Sequence, residues 1–149
     1  MKLHDIKQAT PLIGLDNIDK KPLSRLALDN IDFGEFAQHN IDSWTELAKD
    51  TGWKNMFPNF SAKGVGTVFL LFDSEGTAIR IGSSKSLNGR FATFKYGRGA
   101  ALTQESEVLT WKNTESAVIF YMKKPSTAKH LEKVFREQFS FKYNVKRAA

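Results

Sequence analysis

The stretch Thr67–Gly82, with the sequence TVFLLFDSEGTAIRIG, decides the fold of this chain. Its first part, Thr67–Phe72, is a continuous run of apolar and β-prone side chains, which is the pattern of a buried strand. Asp73–Gly76 has the polar and glycine residues of a turn, and Thr77–Gly82 then returns to a β-prone pattern. The stretch therefore predicts a β-hairpin.

A helical pattern and a further strand pattern come after the hairpin. Ser83 or Ser84 can cap a helix over residues 85–96, because apolar side chains recur there on one helical face and Gly97 follows its end. Ala117–Met122 is another β-prone apolar run, which predicts a third strand. The predicted order up to this point is strand, strand, helix, strand.

A second amphipathic helix is predicted over residues 126–139, directly after Pro125. Both helices have apolar stripes that need a sheet face to cover, so Phe91 and Phe135 are expected to be buried. The predicted fold class is therefore α+β, with a three-stranded antiparallel sheet flanked by helices.

The sequence before the hairpin predicts a separate part of the chain. Ser43–Glu46 has a capping-box pattern, which predicts a short helix over residues 43–51. A further short helix is predicted around Pro22–Ala27. We therefore divide the chain into residues 1–60, a small helical extension or subdomain, and residues 61–149, the main domain.

The composition excludes several classes of protein. The chain has no cysteine, so disulfides, thiol nucleophiles and thiolate metal sites are ruled out. No apolar run approaches the roughly 20 residues that cross a bilayer, and residues 1–10 have no apolar core of a signal peptide. We therefore expect a cytoplasmic protein that does not act in a membrane.

Positive charge is concentrated in the second part of the chain. Residues 1–60 carry 7 Lys/Arg and 9 Asp/Glu, a balance of −2, whereas residues 61–149 carry 15 and 7, a balance of +8. No acidic residue lies between Glu75 and Glu105, and the segment contains Arg80, Lys85, Arg90, Lys95 and Arg98. Such a segment suits a phosphate-rich partner, and a solvated basic face is the alternative.

Three blocks within residues 64–146 resemble the GIY-YIG nuclease superfamily. Thr67–Phe69 stands where that family has Gly-Ile-Tyr, and Arg80–Gly82 stands where it has Tyr-Ile-Gly. Ser83–Arg90 resembles the segment that leads to the family's catalytic arginine. Leu131–Asn144 resembles the helix with the metal-binding glutamate and the Lys-Tyr-Asn that closes the domain.

The resemblance implies a site with two catalytic residues. In the family, a metal on the glutamate polarises the scissile phosphate, a tyrosine helps to activate water, and the arginine stabilises developing charge. Here Glu132 would hold Mg²⁺ and Arg90 would grip phosphate. The candidate DNA contacts are Arg80, Lys85, Lys95, Arg98 and Asn144.

Each of these residues also has a purely structural interpretation. Arg90 can be a surface arginine on an exposed helix, and Glu132 can simply pair with Arg136 four residues later. Arg80 can be a solvent-facing strand residue, and Asn144 can occupy a turn. The sequence leaves these alternatives open.

Three positions depart from the family pattern. Phe69 and Arg80 replace the two motif tyrosines, and Phe94 stands where a histidine or tyrosine is often found. Phenylalanine cannot carry a proton, so the expected water activation is missing. The departures favour binding of phosphate over its hydrolysis.

The leading hypothesis is therefore a GIY-YIG-like protein with a degenerate active site, which binds DNA without efficient cleavage. Residues 1–60 would then dock a protein partner or block the site. The alternative is an active Mg²⁺-dependent endonuclease that hydrolyses DNA phosphodiester bonds. A helix-turn-helix module in residues 1–60 is disfavoured, because that part is net negative.

Overall fold

The structure, a computed structural model, describes residues 6–7, 27–28, 40–47, 52–55, 66–96 and 101–144 of the chain. In chain order its elements are β1 (Ile6–Lys7), β2 (Ala27–Leu28), β3 (Ser43–Leu47), a 3₁₀ turn (Trp53–Asn55), β4 (Gly66–Phe72), β5 (Ala78–Ser84), α1 (Leu87–Tyr96), α2 (Ala101–Asn113), β6 (Ser116–Met122) and α3 (Pro125–Gln138). Within these ranges, no helix has both the length and the apolar character that a bilayer crossing requires.

The main sheet has four antiparallel strands in the order β3-β6-β4-β5. The predicted hairpin is present as β4 and β5, and the predicted third strand is present as β6. Every residue of β4 and β6 is buried, because these central strands are covered on both faces. The fold class is α+β, as predicted, with one strand more than expected.

The two faces of the sheet have separate apolar cores. On one face, Leu131 and Phe135 of α3 pack with Phe120 of β6. On the other face, Phe91 of α1 packs with Trp111 of α2 and with the sheet. Phe91 and Phe135 are both fully buried, so the prediction for these side chains is confirmed.

The helix predicted over residues 43–51 is wrong where the structure describes it, because Ser43–Leu47 is strand β3. This segment pairs with β6, from Ser43 opposite Tyr121 to Leu47 opposite Ala117. Trp44 joins the core beneath α3, whereas Leu47 joins the core on the opposite face. Pairing with a buried neighbouring strand has outweighed a local capping pattern.

The prediction of a helical extension over residues 1–60 needs a further correction. Ala27–Leu28, at the end of a predicted short helix, is strand β2, which pairs with Ile6–Lys7 in a small sheet of its own. Residues 22–26 lie outside the described ranges. Strand β3 belongs to the main sheet, which therefore draws strands from both sides of the boundary predicted at residues 60 and 61.

Helix α2 was not predicted, and it is held in place by the 3₁₀ turn. The Lys54 ammonium donates hydrogen bonds to the carbonyls of Trp111 and Thr114, at the end of α2. A cation at a helix C-terminus is favourable because unpaired carbonyls and the helix dipole make that end negative. Burial lowers the pKa of Lys54, and the charge of Glu115 partly opposes this. The contact fixes the orientation of α2 against the sheet.

Candidate functional site

Strand β5 lies at the edge of the sheet, and its side chains reach helices on both faces. Arg80 of β5 reaches Phe94 of α1 and Glu107 of α2, whereas Ser83 of β5 reaches Glu132 of α3. Alternate residues along a strand point to opposite faces, and a bulge near Phe72 shifts this alternation before Arg80. We define the β5-edge cluster as Arg80, Ser83, Arg90, Glu107, Glu132 and Arg136.

The guanidinium of Arg80 lies deepest in this cluster. Its side chain is only 11% exposed, and its Nη1 donates a 2.6 Å hydrogen bond to the carbonyl of Tyr143. The carbon of the guanidinium lies 5.4 Å from the ring centre of Phe94. Burial lowers the pKa of Arg80, the positive charge of Arg90 adds to this effect, and the carboxylate of Glu107 opposes it. Arginine nevertheless stays charged.

Arg90 shares its partners with Arg80. Its Nη2 lies 3.0 Å from Oε1 of Glu107, and Nη2 of Arg80 lies 3.9 Å from the same oxygen. The guanidinium of Arg90 also lies over the Phe94 ring, at 4.3 Å from its centre. The Arg90 side chain keeps 26% of its surface exposed, so part of it faces solvent. Arg90 is therefore an ion-paired residue with a free solvent side.

Glu132 is engaged at both carboxylate oxygens. Its Oε1 accepts a hydrogen bond of 3.1 Å from the Ser83 hydroxyl, and its Oε2 lies 3.6 Å from Nη1 of Arg136. The ion pair between Glu132 and Arg136, which the structural interpretation of Glu132 expects, is therefore observed. Arg90 and Arg80 lie around Glu107 on the α1 and α2 face of the sheet, whereas Glu132 lies on α3, which covers the other face.

The residues around Glu132 do not fit a resident Mg²⁺ ion. Magnesium prefers several oxygen ligands in octahedral geometry, whereas Glu132 is a single carboxylate with Arg136 and Arg80 nearby. In the described part of the chain, no group of three His, Cys, Asp or Glu side chains could hold a metal. The guanidinium of Arg136, 3.6 Å from Oε2 of Glu132, adds positive charge beside this carboxylate.

Asn144 closes the outer side of β5. Its Oδ1 accepts a hydrogen bond from the Ile81 N–H and its Nδ2 donates one to the Ile81 carbonyl, both at 2.9 Å. The N–H of Tyr143 also donates to the Ile79 carbonyl, at 2.9 Å. These bonds satisfy backbone groups that an edge strand otherwise leaves open. The contact of Asn144 with DNA remains a prediction.

The remaining predicted DNA contacts lie at different places. Lys85 is exposed in the loop between β5 and α1. Lys95 is partly buried near the end of α1, and its ammonium lies 5.7 Å from the ring centre of Tyr96. Arg98 lies outside the described ranges. Of the five cations in the basic segment, the structure thus brings Arg80 and Arg90 together.

An open pocket with a volume of about 650 Å³ lies beside the β5-edge cluster. We call it the α3 pocket, and it is lined by Ser83, Lys129, His130, Glu132, Lys133, Arg136 and Glu137. Lys129 and Lys133 are exposed and lie one helical turn apart on α3. Arg136 is 25% exposed and belongs to both the pocket and the cluster. The pocket therefore extends the arginine cluster toward solvent.

Sequence reasoning did not identify Glu107, Lys129 or Lys133 as site residues. The spacing of the two lysines on a predicted helix was a signal that could have found them. Glu107 gave no such signal, because helix α2 itself was not predicted.

The residues that carry the resemblance to GIY-YIG nucleases surround the β5 edge. Thr67–Phe69 lies on β4, Arg80–Gly82 on β5, Arg90 on α1 and Glu132 on α3. No family model, curated protein or solved structure matches the chain. The function of the domain is therefore proposed from the contacts of the β5-edge cluster and the lining of the α3 pocket.

Proposed function

We propose that this GIY-YIG-like domain binds DNA at the β5-edge cluster and the α3 pocket, and that it does not cleave DNA efficiently. The observation that carries the proposal is that the two faces of one sheet edge both present cations, with Arg80 and Arg90 around Glu107 on one face and Arg136 beside two exposed lysines in the α3 pocket on the other. Guanidinium groups bind phosphate oxygens through paired, charge-assisted hydrogen bonds. The cluster has three arginines and two glutamates, so it keeps a positive charge.

The exposed cations follow the length of helix α3. Lys129 and Arg136 lie seven residues apart with Lys133 between them, which is about 10 Å at a rise of 1.5 Å per residue. This length equals about three of the 3.4 Å charge spacings that one DNA strand has along the duplex axis. Arg90, over Phe94 on the other face of the sheet, keeps a solvent-exposed side that adds a fourth cation. A short stretch of sugar-phosphate backbone therefore fits this surface.

The contacts suit the DNA backbone more than the bases. Lysine and arginine side chains on phosphates position a protein but carry no sequence information. The lining of the α3 pocket mixes both signs of charge, with Glu132 and Glu137 among the cations. We therefore expect binding with little sequence preference and with a strong dependence on salt.

The same site lacks groups that hydrolysis would need. The Phe69 ring is fully buried against Phe91 and Phe94 and carries no hydroxyl. Arg80 stands at the second motif tyrosine and is permanently charged, so it cannot act as a base. Glu132 is held by Ser83 and a guanidinium. These features support binding without cleavage.

The alternative of a Mg²⁺-dependent endonuclease keeps one observation in its favour. The two candidate catalytic residues flank the same edge strand, because Arg80 of β5 shares Glu107 with Arg90, and Ser83 of β5 binds Glu132. A protein partner of residues 1–60 also remains a prediction, since most of those residues lie outside the described ranges.

The α3 pocket can be tested with a pair of double variants. Lys129→Ala/Lys133→Ala removes the two exposed pocket lysines, and we expect it to weaken duplex binding on the order of 10-fold. The matched control is Lys112→Ala/Lys142→Ala, which removes two exposed lysines that line a different pocket. Fluorescence anisotropy of a labelled duplex at low salt measures both.

The control variant is expected to bind within about 2-fold of the parent, because its lysines contribute only to the long-range potential. Equal losses in the two double variants would mean that net charge alone drives binding. That result would contradict the proposal that the α3 pocket binds DNA.

A further inference from the structure

The carboxylate of Glu107 is buried between two arginines of the β5-edge cluster. Its side chain is only 8% exposed, although it lies on helix α2 among several exposed residues. Its Oε1 lies 3.0 Å from Nη2 of Arg90 and 3.9 Å from Nη2 of Arg80. An oxygen of a bound phosphate would need this same position to contact both guanidinium groups.

The hydrogen bonding of this trio is incomplete. Among the described residues, Oε2 of Glu107 and Nε of Arg80 are buried without a hydrogen-bond partner. Buried polar atoms nearly always have a hydrogen-bond partner in folded proteins, so each of these two atoms can still form a hydrogen bond. Two guanidinium groups also outweigh one carboxylate in charge. A phosphate group, with more acceptor oxygens than a carboxylate, suits these donors better.

We propose that Glu107 occupies a phosphate site formed by Arg80 and Arg90, and that it competes there with the phosphate groups of a ligand. This inference rests on the proposed function, because it names the element that limits DNA affinity at the same site. In the parent protein, the ion pair with Glu107 prevents a ligand phosphate from binding the buried side of the Arg90 guanidinium. The α3 pocket then provides most of the binding.

A purely structural role of Glu107 makes a different prediction. If the carboxylate is only a counter-ion, its removal destabilises the fold without creating an affinity for phosphate. If it occupies a phosphate site, its removal leaves two partly buried arginines that an added phosphate can neutralise. A ligand that binds only the folded state raises its thermal stability. Stability in phosphate therefore separates the two roles.

The test uses Glu107→Gln, which removes the charge but keeps an oxygen that can accept from Arg90. Thermal unfolding is measured in inorganic phosphate and in chloride at equal ionic strength. We expect phosphate to raise the Tm of this variant by about 4 °C or more over chloride, and the Tm of the parent by much less. The matched control is Glu75→Gln, an exposed residue of the β4–β5 turn, which is expected to behave like the parent.

A second variant applies if Glu107→Gln does not fold. Glu107→Asp keeps the charge but withdraws the carboxylate by one methylene group, so phosphate is expected to stabilise it to an intermediate degree. The same variants are titrated with a labelled duplex, and Glu107→Gln is expected to bind on the order of 10-fold more tightly than the parent.

The outcomes distinguish this inference from the proposed function. A phosphate response of the folded variants equal to that of the parent would overturn the phosphate site, even if the parent binds DNA. A specific phosphate response without duplex binding by the parent would support the site and remove DNA as the ligand. Both responses together support both proposals.

Discussion

The affinity of the domain for duplex DNA is expected to fall on the order of 100-fold when salt rises from roughly 50 to 200 mM. Each phosphate contact by a cation releases counterions from DNA, so the logarithm of affinity falls linearly with the logarithm of salt concentration. Lys129, Lys133 and Arg136 of the α3 pocket and the exposed side of Arg90 offer about four such contacts.

Anisotropy titrations of a labelled duplex over a salt series measure this dependence. In the Lys129→Ala/Lys133→Ala variant, the slope is expected to become shallower by about two. An affinity of the parent that changes less than about 3-fold over the same range would show that phosphate contacts are not the main source of binding.

Replacing Phe135 by alanine is expected to lower the free energy of unfolding by about 3–5 kcal/mol. Phe135 is fully buried and stacks on Phe120 of β6, with ring centres 5.8 Å apart. The alanine variant loses the transfer free energy of the ring and leaves a cavity between α3 and the sheet. Because α3 also carries Glu132 and Arg136, the site depends on this contact.

Urea unfolding followed by circular dichroism measures the loss of stability. Glu137→Ala, in the same helix but exposed to solvent, is the control and is expected to stay within about 0.5 kcal/mol of the parent. A Phe135→Ala variant as stable as this control would show that α3 does not pack on the sheet.

The elements that could be predicted are those whose patterns are local. Strand β4 is a continuous apolar run, and such a run is typical of a strand buried on both faces. Helix α3 places Leu131 and Phe135 on one face, so its apolar stripe can be recognised from the sequence without knowledge of the sheet. Its bounds, Pro125–Gln138, differ by one residue at each end from the prediction.

Strand β3 could not be predicted because its environment decides its structure. Ser43–Glu46 satisfies a helix-capping pattern, and Trp44 and Leu47 have helical spacing. In the sheet, these two side chains serve the two opposite cores, which a helix of this length could not do. The partner strand β6 lies more than 60 residues later, outside any local pattern.

Helix α2 was missed because its sequence does not show a clear apolar stripe. Val108 and Leu109 are exposed, whereas Glu107 and Thr110 are buried. An apolar stripe is the main signal of an amphipathic helix, and here the described buried residues combine the apolar Trp111 with the polar Glu107 and Thr110. The contacts of Glu107 with Arg80 and Arg90 therefore could not be predicted from the sequence alone.

The motif spacing indicated Arg80, Arg90 and Glu132, and the structure places Arg80 and Arg90 around Glu107, and Glu132 beside Ser83 and Arg136. Their roles in a site remain predictions. The ion pair of Arg90 could not be predicted, because its partner Glu107 lies on helix α2, which was not predicted.

Binding without cleavage is tested most directly by incubating a labelled duplex with Mg²⁺ or Mn²⁺ at saturating protein concentrations. The length of the DNA is then read on a denaturing gel. We expect full-length strands in the parent and in Glu132→Ala alike, since Phe69 and Arg80 supply no general base. Cleavage by the parent that disappears in Glu132→Ala would contradict this and identify the domain as a metal-dependent endonuclease.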